Sequence, residues 1–458
     1  MLPILTPDEM RIVDAWAPDP VEVLIERAGA AVARAALRML GGTYGRTVNV
    51  IAGSGDNGAD GRTAARLLEA RGVKVRVFHA NACPRVLPSA DLVIDAAFGT
   101  GFRGVWHPPE VGAAQVLAVD VPTGVDALTG AADEHVLGAD RTVTFVALKP
   151  GLLFPPGSVL AGELELVDIG LDPRNDGPGG DAPGANLVQR RDVAGWWPRR
   201  VADAHKWHAA VRIIAGSRSM TGAAALAAEG AQRSGAGMVQ VSVPGVETVR
   251  LPVEAIHRPL PASGWAEEAL RGLERFHAVV IGPGLGRRDD MAASARSMML
   301  NAALPMVIDG DGLFALAWNA DGATGLLRRR SSPTVLTPHD GEMKLLTGAL
   351  PGRDRIAAAR SLARDSGSVV LLKGPATVVA DPNGEALVVT AGDERLATAG
   401  TGDVLAGIIG TLLAHRVPPF HAAAAGAWVH GRAARLGPSI GFVASDLPEL
   451  IPQVLSQL

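Results

Sequence analysis

Residues 398–403, TAGTGD, precede the apolar stretch VLAGIIGTLLA and combine the residue types that phosphoryl transfer needs. Glycines at a helix N-terminus expose consecutive N–H groups to an anion. A carboxylate at the same end, here Asp403, can accept the proton of a hydroxyl that attacks phosphorus. The pattern is equally compatible with a glycine-rich turn in which Asp403 caps a helix, so other motifs must decide between the two.

A second glycine-rich segment, GSGDNGADG at residues 53–61, follows the apolar run TVNVIA. Its first six residues satisfy G-x-G-x-x-G, the fingerprint of dinucleotide-binding loops. Asp56 and Asp60 oppose a phosphate cradle, because carboxylates repel the anion that such a loop binds. The fingerprint also requires an acidic residue at the end of the next strand, where VKVRVFHAN supplies histidine and asparagine. A hydride-transferring NAD oxidoreductase is therefore disfavoured.

Alternating strand and helix patterns must position these loops. Residues 21–40 predict an amphipathic helix, TVNVIA predicts a buried strand, and DGRTAARLLEARG predicts a helix that ends at Gly72. Further strands are predicted for VKVRVFHA, DLVIDAAFG, AQVLAVDVPTG, DRTVTFVAL and GELELVDIG. This alternation predicts an α/β fold with a Rossmann-like, doubly wound sheet, whose ligands bind at the carboxyl ends of the strands.

A domain linker is predicted at residues 172–186, DPRNDGPGGDAPGAN, which are rich in Gly, Pro and Asp and lack core-forming residues. After it, VRIIAG, GMVQVSV, AVVIGPG, MVIDGD, TVLTP and SVVLLKG predict the strands of a second α/β domain. We therefore expect two domains, residues 1–186 and 187–458.

The composition favours a small-molecule function. The 458 residues carry a formal net charge of −4, which gives no electrostatic argument for nucleic acid binding. Cys83 is the single cysteine, so neither an internal disulfide nor a cysteine-based zinc site is expected. The N-terminus does not read as a secretory signal, and no apolar run is suited to span a bilayer. Together these features predict a cytoplasmic protein.

The C-terminal half resembles the NAD(P)H-hydrate dehydratase family of the ribokinase-like superfamily. The motifs that carry the resemblance occur in order: HK (205–206), IIAGS, TGAAALAAEGAQRSGAGMV, VVIGPGLG, LTPHDGE, VLLKGPATVV, TAGTGDVLAGIIGTLLA and VHG (429–431). The resemblance implies that ADP or ATP, with magnesium, phosphorylates the ring hydroxyl of hydrated NADH or NADPH. Elimination of phosphate then restores the reduced cofactor.

The same resemblance implies roles for individual residues. Asp403 corresponds to the base that deprotonates the substrate hydroxyl, and it also contacts the substrate. Ala223, Gly284 and His339 correspond to further contacts with the hydrated nicotinamide. The nucleotide-binding positions are Lys373, Gly374, Pro375, Ala376, Thr377 and Gly402.

The N-terminal half resembles the NAD(P)H-hydrate epimerase domain, which interconverts the R and S hydrates. IERAG (25–29), GSGDNGADG, DAAFGTGFRG, VDVPTGVDALTG and TFVALKPGLL (144–153) carry this resemblance. It implies that Asp120 is the catalytic acid or base, while Lys149 is assigned no definite role. The implied substrate contacts are Asp56, Asn57, Gly58, Ala59, Asp60, Gly99, Thr100, Gly101, Phe102, Arg103, Gly104, Val105 and Asp120.

The epimerase resemblance also implies a bound potassium ion, with Asn57, Asp95 and Thr123 at the ligand positions. Amide, carboxylate and hydroxyl or backbone oxygens are the hard donors that such an ion prefers. For each residue alone, a hydrogen bond to a neighbouring loop is the simpler interpretation. As a set at three strand ends, they favour the ion site.

Two departures from the family pattern limit these expectations. Asp56 and Ala59 stand where an asparagine and a glycine are usual, which predicts an altered or weak epimerase. IDGDGLFAL (308–316) also departs from the usual D-A-D-A-L-N, although Asp403 is unaffected.

Two alternative functions stay open at this point. One is a ribokinase-like kinase that phosphorylates a vitamin-precursor alcohol and releases the ester, with a non-catalytic N-terminal binding domain. The other is a scaffold built on an epimerase-type domain. The sequence leaves open the preference between the NADH and NADPH hydrates, the preference between ADP and ATP, and whether the chain forms a homo-oligomer.

Overall fold

The computed structural model describes residues 1–102, 104–174, 184–319 and 322–458. The chain divides into two compact units, residues 2–184 and residues 185–458 together with Met1. Most of the predicted linker at residues 172–186 lies outside the described residues. Within those described ranges, no helix is both long enough and apolar enough to cross a membrane.

The first unit is an α/β structure around a parallel sheet. Its strands are β1 (Leu2–Ile4), β2 (Thr47–Ala52), β3 (Lys74–His79), β4 (Leu92–Ala96), β5 (Gln115–Val119), β6 (Arg141–Phe145) and β7 (Glu163–Val167). Its helices are α1 (Pro7–Ala15), α2 (Val21–Leu40), α3 (Asp56–Glu69) and α4 (Gly157–Leu160). Six strands pair in the order β3-β2-β4-β5-β6-β7, so the strand order reverses between β2 and β4. Ligands of open α/β sheets bind outside such a reversal.

Local signals explain two of these helices. Thr6 and Glu9 form a capping box at the start of α1, and Pro7 occupies the first turn, where its missing N–H costs nothing. The predicted helix at residues 21–40 is confirmed as α2, which ends at Leu40 and is followed by Gly41 in the left-handed conformation.

The third helix corrects the prediction for residues 53–61. Only the first three of these residues form a loop, because α3 already begins at Asp56 and ends at Glu69. The helix starts after Gly55, whose missing side chain gives no capping signal in the sequence. Asn57, Gly58, Ala59 and Asp60 therefore lie in the first turns of a helix.

The second unit holds a larger mixed sheet. Its strands are β8 (Ala185–Leu187), β9 (Ala210–Ile214), β10 (Met238–Ser242), β11 (Ile256–His257), β12 (Ala278–Ile281), β13 (Met306–Ile308), β14 (Thr334–Leu336), β15 (Val369–Leu372), β16 (Thr377–Ala380) and β17 (Ala386–Val389). They pair in the order β8-β17-β16-β15-β14-β13-β12-β9-β10-β11. Strand β16 runs antiparallel to both of its neighbours, which the sequence analysis did not predict.

Helices pack against this sheet. They are α5 (Arg190–Trp196), α6 (Thr221–Arg233), α7 (Ala266–Leu270), α8 (Asp289–Asn301), α9 (Asp311–Ala317), α10 (Gly322–Leu327), α11 (Asp340–Thr347), α12 (Arg355–Ser366), α13 (Thr401–Ala414), α14 (Pro419–Ala434) and α15 (Leu447–Leu455). Helix α13 is almost completely buried and joins α6, α14 and the central strands in one apolar core. This burial fixes the end of α13 that carries Asp403.

Candidate active sites

A cavity of about 730 Å³ opens in the first unit, where the strand order reverses. It brings together many of the predicted epimerase residues, namely Asp56, Asn57, Asp60, Gly99, Thr100, Gly101, Phe102 and Asp120. Gly58, Ala59, Gly104 and Val105 lie outside its lining, and Arg103 lies outside the described residues. Gly58 instead packs against the backbone, since an added Cβ would lie 1.9 Å from the Gly53 carbonyl oxygen.

Asp120 follows β5 and lines the cavity in a strained backbone conformation, with φ at 67°. Val146, also in the lining, has φ at 66°, which a β-branched residue rarely adopts. The Asp120 carboxylate accepts hydrogen bonds from Thr144 Oγ1 at 3.0 Å and from Lys149 Nζ. Such strain persists only where the surrounding structure enforces it, and it often marks a functional site.

Lys149 is the partner that the sequence analysis left without a role. Its side chain is 2% exposed, and it also donates to Thr144 Oγ1 at 2.9 Å and to the Phe145 carbonyl at 3.1 Å. All three ammonium hydrogens are therefore used within the protein. Lys149 holds Asp120 in place and compensates its charge.

Asp60 differs from Asp120 because it is buried without a cation. Only 8% of Asp60 is exposed, although it lines the cavity. Burial, followed by the charges of Asp120 and Asp56, raises the pKa of Asp60 to about 8. Asp60 is therefore mostly protonated at neutral pH.

Of the three predicted potassium ligands, Asn57 lies in the first turn of α3, Asp95 lies near the end of β4, and Thr123 follows β5. Asp95 is fully buried at the end of β4 and accepts hydrogen bonds from Thr123 Oγ1 at 2.7 Å and from Thr123 N at 2.9 Å. Burial raises the pKa of Asp95, while the bonds from Thr123 act in the opposite direction. Asn57 lies against Gly99, and both polar atoms of its amide are buried with no hydrogen-bond partner among the residues that the structure describes. A buried amide oxygen without a partner among these residues and a buried carboxyl both provide the kind of oxygen that a cation site uses.

In the second unit, Asp403 lies in the first turn of α13, after Gly400 with φ at 94°. Burial, followed by the charge of Asp309, raises the pKa of Asp403 to about 7, against the opposing effect of Lys373. Gly402 faces the same cluster, since a Cβ added there would lie 3.5 Å from Lys373 Nζ. The helix N-terminus, a carboxyl group and a lysine thus meet at one point, an arrangement that suits phosphoryl transfer.

Three residues of this cluster were missed by the sequence analysis. Lys373 Nζ lies 2.9 Å from Asp309 Oδ1 and 3.6 Å from Glu342 Oε2. Thr337 Oγ1 donates to Asp309 Oδ1 at 2.6 Å. Asp309 belongs to the IDGD motif and Glu342 to LTPHDGE, so both motifs contained the signal. Burial opposes the charge on Lys373, but Asp309 and Glu342 outweigh it and raise the pKa of the ammonium.

The structure brings Ala223 and Gly284 together, where the order of the second sheet reverses between β9 and β12. Gly284 has φ at 60°, and an added Cβ would lie 2.8 Å from that of Ala223, so a larger side chain does not fit. His339 caps α11, and its Nδ1 accepts from Gly341 N at 3.0 Å and from Glu342 N at 3.2 Å. Its Nε2 lies 3.5 Å from Glu342 Oε2, and the side chain is 59% exposed.

The predicted nucleotide-binding residues continue from β15 into β16. Arg355 donates to the Lys373 carbonyl at 2.7 Å and pairs with Asp340 at 2.8 Å. An added Cβ on Gly374 would lie 2.6 Å from the Arg355 guanidinium, which explains the glycine. Pro375 is exposed, Ala376 is buried, and Thr377 begins β16.

The histidine of the VHG motif contacts the N-terminus of α13. His430 is buried, and its Nε2 lies 2.9 Å from the Thr401 carbonyl oxygen. Burial lowers the pKa of His430 to about 4, so the imidazole is neutral. His430 therefore fixes Thr401, two residues before Asp403, without adding charge.

Both units of the chain match known protein families. Residues 211–455 match the family model described as NAD(P)H-hydrate dehydratase, and residues 21–86 and 79–151 match that described as YjeF-related protein N-terminus. The bifunctional NAD(P)H-hydrate repair enzyme of Moorella thermoacetica is 34% identical, covering 96% of this chain and 93% of the relative. The enzyme of the same name from Mycobacterium leprae is 36% identical, covering 96% and 95%.

A solved structure confirms the fold of the second unit. The ADP/ATP-dependent NAD(P)H-hydrate dehydratase of Bacillus subtilis, co-crystallised with ATP and Mg²⁺, is 31% identical with a TM-score of 0.53, covering 61% of this chain and 99% of that one. The first unit has the parallel sheet of a Rossmann-like domain. A likeness that spans both units and nearly the whole chain shows that the chain belongs to the bifunctional NAD(P)H-hydrate repair enzyme family.

Proposed function

We propose that this chain repairs hydrated NADH and NADPH in two reactions. Residues 1–186 interconvert the R and S hydrates, and residues 187–458 dehydrate the S hydrate at the expense of ADP or ATP with magnesium. The observation that carries the proposal is the meeting of Asp403, Gly402 and Lys373 at the N-terminus of α13, within the match to the dehydratase family. The single cysteine fits the reducing cytoplasm, where we place the reactions.

Dehydration begins with transfer of a phosphoryl group to the ring hydroxyl. Asp403 accepts the hydroxyl proton, while the N–H groups around Gly402 and the Lys373 ammonium stabilise the phosphate charge. Magnesium, when bound with the nucleotide, neutralises further phosphate charge. The phosphate then leaves as the C–O bond breaks, and loss of the proton on the adjacent carbon restores the ring double bond. Ala223, Gly284 and His339 are proposed to contact the nicotinamide.

Epimerisation is assigned to the cavity of the first unit. Asp120 transfers a proton at the hydrated ring, and Lys149 positions the Asp120 carboxylate. Asn57, Asp95 and Thr123 would hold a potassium ion, which would supply positive charge beside the substrate. The fit of these residues rests on the unpartnered Asn57 amide and on the buried Asp95 carboxyl.

The dehydratase assignment is tested with the S hydrate, Mg²⁺ and either ADP or ATP, by following the absorbance of reduced nicotinamide. We expect recovery that requires a nucleotide and is abolished in Asp403→Asn, with inorganic phosphate released in equal amount. Accumulation of a stable phosphorylated hydrate would instead identify a kinase.

A further inference from the structure

Asp60 is a buried carboxyl group that no described cationic side chain compensates. It lies one helical turn after Asn57 in α3, is 8% exposed, and faces the epimerase cavity. Among the described residues, no hydrogen-bond donor and no cation contributes to the ionisation of its carboxyl. A carboxyl group that is buried without a partner lowers the free energy of unfolding. Its presence at a cavity therefore suggests a function.

Among the described residues, the ionisable groups that line the cavity are five carboxyls and one ammonium, namely Asp14, Asp19, Asp56, Asp60, Asp120 and Lys149. The ammonium is already committed to Asp120, Thr144 and Phe145. Asp19 is paired with Arg27 at 2.7 Å. Within the described part of the cavity, Asp120 is therefore paired with a buried ammonium, whereas the deeply buried carboxyl of Asp60 has no cationic side chain beside it.

The chemistry of the substrate calls for two groups of this kind. Water that adds to the ring double bond beside nitrogen places its hydroxyl on the carbon bonded to that nitrogen. The nitrogen lone pair can expel the hydroxyl if an acid protonates it, and a base must take up a proton when water returns. Inversion requires that water leaves from one face and adds to the other.

We propose that Asp60 is a second catalytic residue of epimerisation, which protonates the departing hydroxyl while Asp120 accepts the proton of the water that adds to the opposite face. This inference rests on the proposed epimerase function. In one direction the Asp60 carboxyl gives its proton to the hydroxyl oxygen, the C–O bond breaks, water leaves, and the nitrogen lone pair forms a C=N bond. Water then adds to that carbon and loses a proton to Asp120.

After inversion, Asp120 carries a proton and Asp60 is ionised, which is the state needed for the reverse conversion. No oxidant or further reactant is consumed. The raised pKa of Asp60, about 8, supports its part as the acid in the forward direction, because the proton is present at neutral pH. The same property predicts that wild-type activity in that direction falls as pH rises above about 8.

The test uses the full chain with pure R or S hydrate, potassium, no nucleotide, and water enriched in heavy oxygen. Interconversion and label incorporation are followed by chromatography and mass spectrometry, with the uncatalysed rate subtracted. Asp60→Asn is compared with Asp133→Asn, which removes an exposed carboxylate outside the cavity lining. We expect Asp60→Asn to lose at least about 10²-fold of both readouts, and Asp133→Asn to match wild type.

Two results would overturn the assignment of Asp60 and leave the epimerase function standing. One is wild-type rates of interconversion in Asp60→Asn. The other is inversion by the wild-type protein without label incorporation, because the carbon–oxygen bond would then stay intact. The wild-type pH profile needs no variant, and a rate independent of pH between 7 and 10 in both directions would also exclude Asp60 as the acid. Absence of interconversion in the wild-type protein would instead refute the proposed epimerase function.

Discussion

The ammonium group of Lys373 lies 2.9 Å from the carboxylate of Asp309, and Thr337 holds that same carboxylate at 2.6 Å. The two partners are 64 residues apart in sequence. Asp309 therefore acts as a positioning residue that directs Lys373 towards Gly402 and the helix terminus.

Asp309→Asn should slow dehydration because it disturbs the contact of Lys373 with the nucleotide. Loss of the carboxylate charge frees Lys373 to move, and we expect kcat/KM for ADP or ATP to fall by about 10- to 100-fold. Steady-state kinetics with saturating S hydrate provide the measurement. Asp289→Asn, an exposed carboxyl at the start of α8, serves as the charge-matched control. Equal kinetics for Asp309→Asn and wild type would refute the positioning role.

The dehydration rate should depend on the ionisation of Asp403. The base is the ionised form, and burial raises its pKa to about 7. The rate should therefore fall about tenfold per pH unit below pH 7 and level off above it. A profile of kcat/KM for the S hydrate from pH 5 to 9 tests this, and a rate that rises as the pH falls would contradict it.

Asp403 should also lower the stability of the second unit at high pH. Because its folded-state pKa lies above the ordinary value of 3.8, the protonated form is favoured in the folded protein. This contribution to stability is complete below pH 3.8 and is lost as the pH rises through about 7. Asp403→Asn should therefore be more stable than wild type at pH 8, with the difference shrinking towards pH 5. Calorimetry at both pH values would reveal it, and a less stable variant at pH 8 would show that the Asp403 carboxylate is stabilised in the folded state.

Withdrawal of potassium should reduce epimerisation and leave dehydration of the S hydrate unchanged. The reason is that the unpartnered Asn57 amide and buried Asp95 belong to the first unit alone. Exchange into a buffer whose only cation is a bulky organic ammonium, followed by titration with KCl, gives the measurement. Asn57→Ala should lower both the activity and its dependence on potassium, and full activity of wild type without potassium would argue against the site.

The buried guanidinium of Arg212 in β9 should be a cost to stability. It is 1% exposed, and Nη2 donates to Ser242 Oγ at 2.7 Å, whereas Nε and Nη1 are buried with no partner in the described part of the chain. Burial, followed by the charge of Arg258, lowers the pKa of Arg212 to about 9. Replacing an uncompensated buried charge with an apolar side chain of similar length should stabilise the fold by about 1–3 kcal/mol. We expect a higher thermal midpoint for Arg212→Met, and a lower one would indicate that the charge is needed.

Much of the fold follows from local sequence patterns. Helix α2 was predicted with its observed bounds, and the apolar runs became the parallel strands of both sheets. The start of α3 and the antiparallel strand β16 were not predicted, because no side-chain cap marks the first and no recognised turn motif precedes the second. Both depend on packing that only the folded chain provides.

Site residues could be predicted from sequence when they belong to one motif. Contacts between residues from distant segments were harder to predict. Asp403 and Gly402 share a segment, whereas the Asp120–Lys149 pair joins residues 29 apart. The backbone conformation of Asp120 and the burial of Asp60 are tertiary properties without a local signal. Sequence resemblance therefore predicted many of the cavity residues. The contacts and burial of Lys149, Asp309 and Asp60 could be described only from the structure.

The most direct test of the whole account is to incubate a mixture of R and S hydrates with the protein, potassium, Mg²⁺ and ADP or ATP, and to follow the absorbance of reduced nicotinamide. We predict full recovery by wild type, while Asp120→Asn should recover the S fraction rapidly and then continue only at the uncatalysed rate. Absence of recovery with either nucleotide would contradict the assignment of this chain to NAD(P)H-hydrate repair.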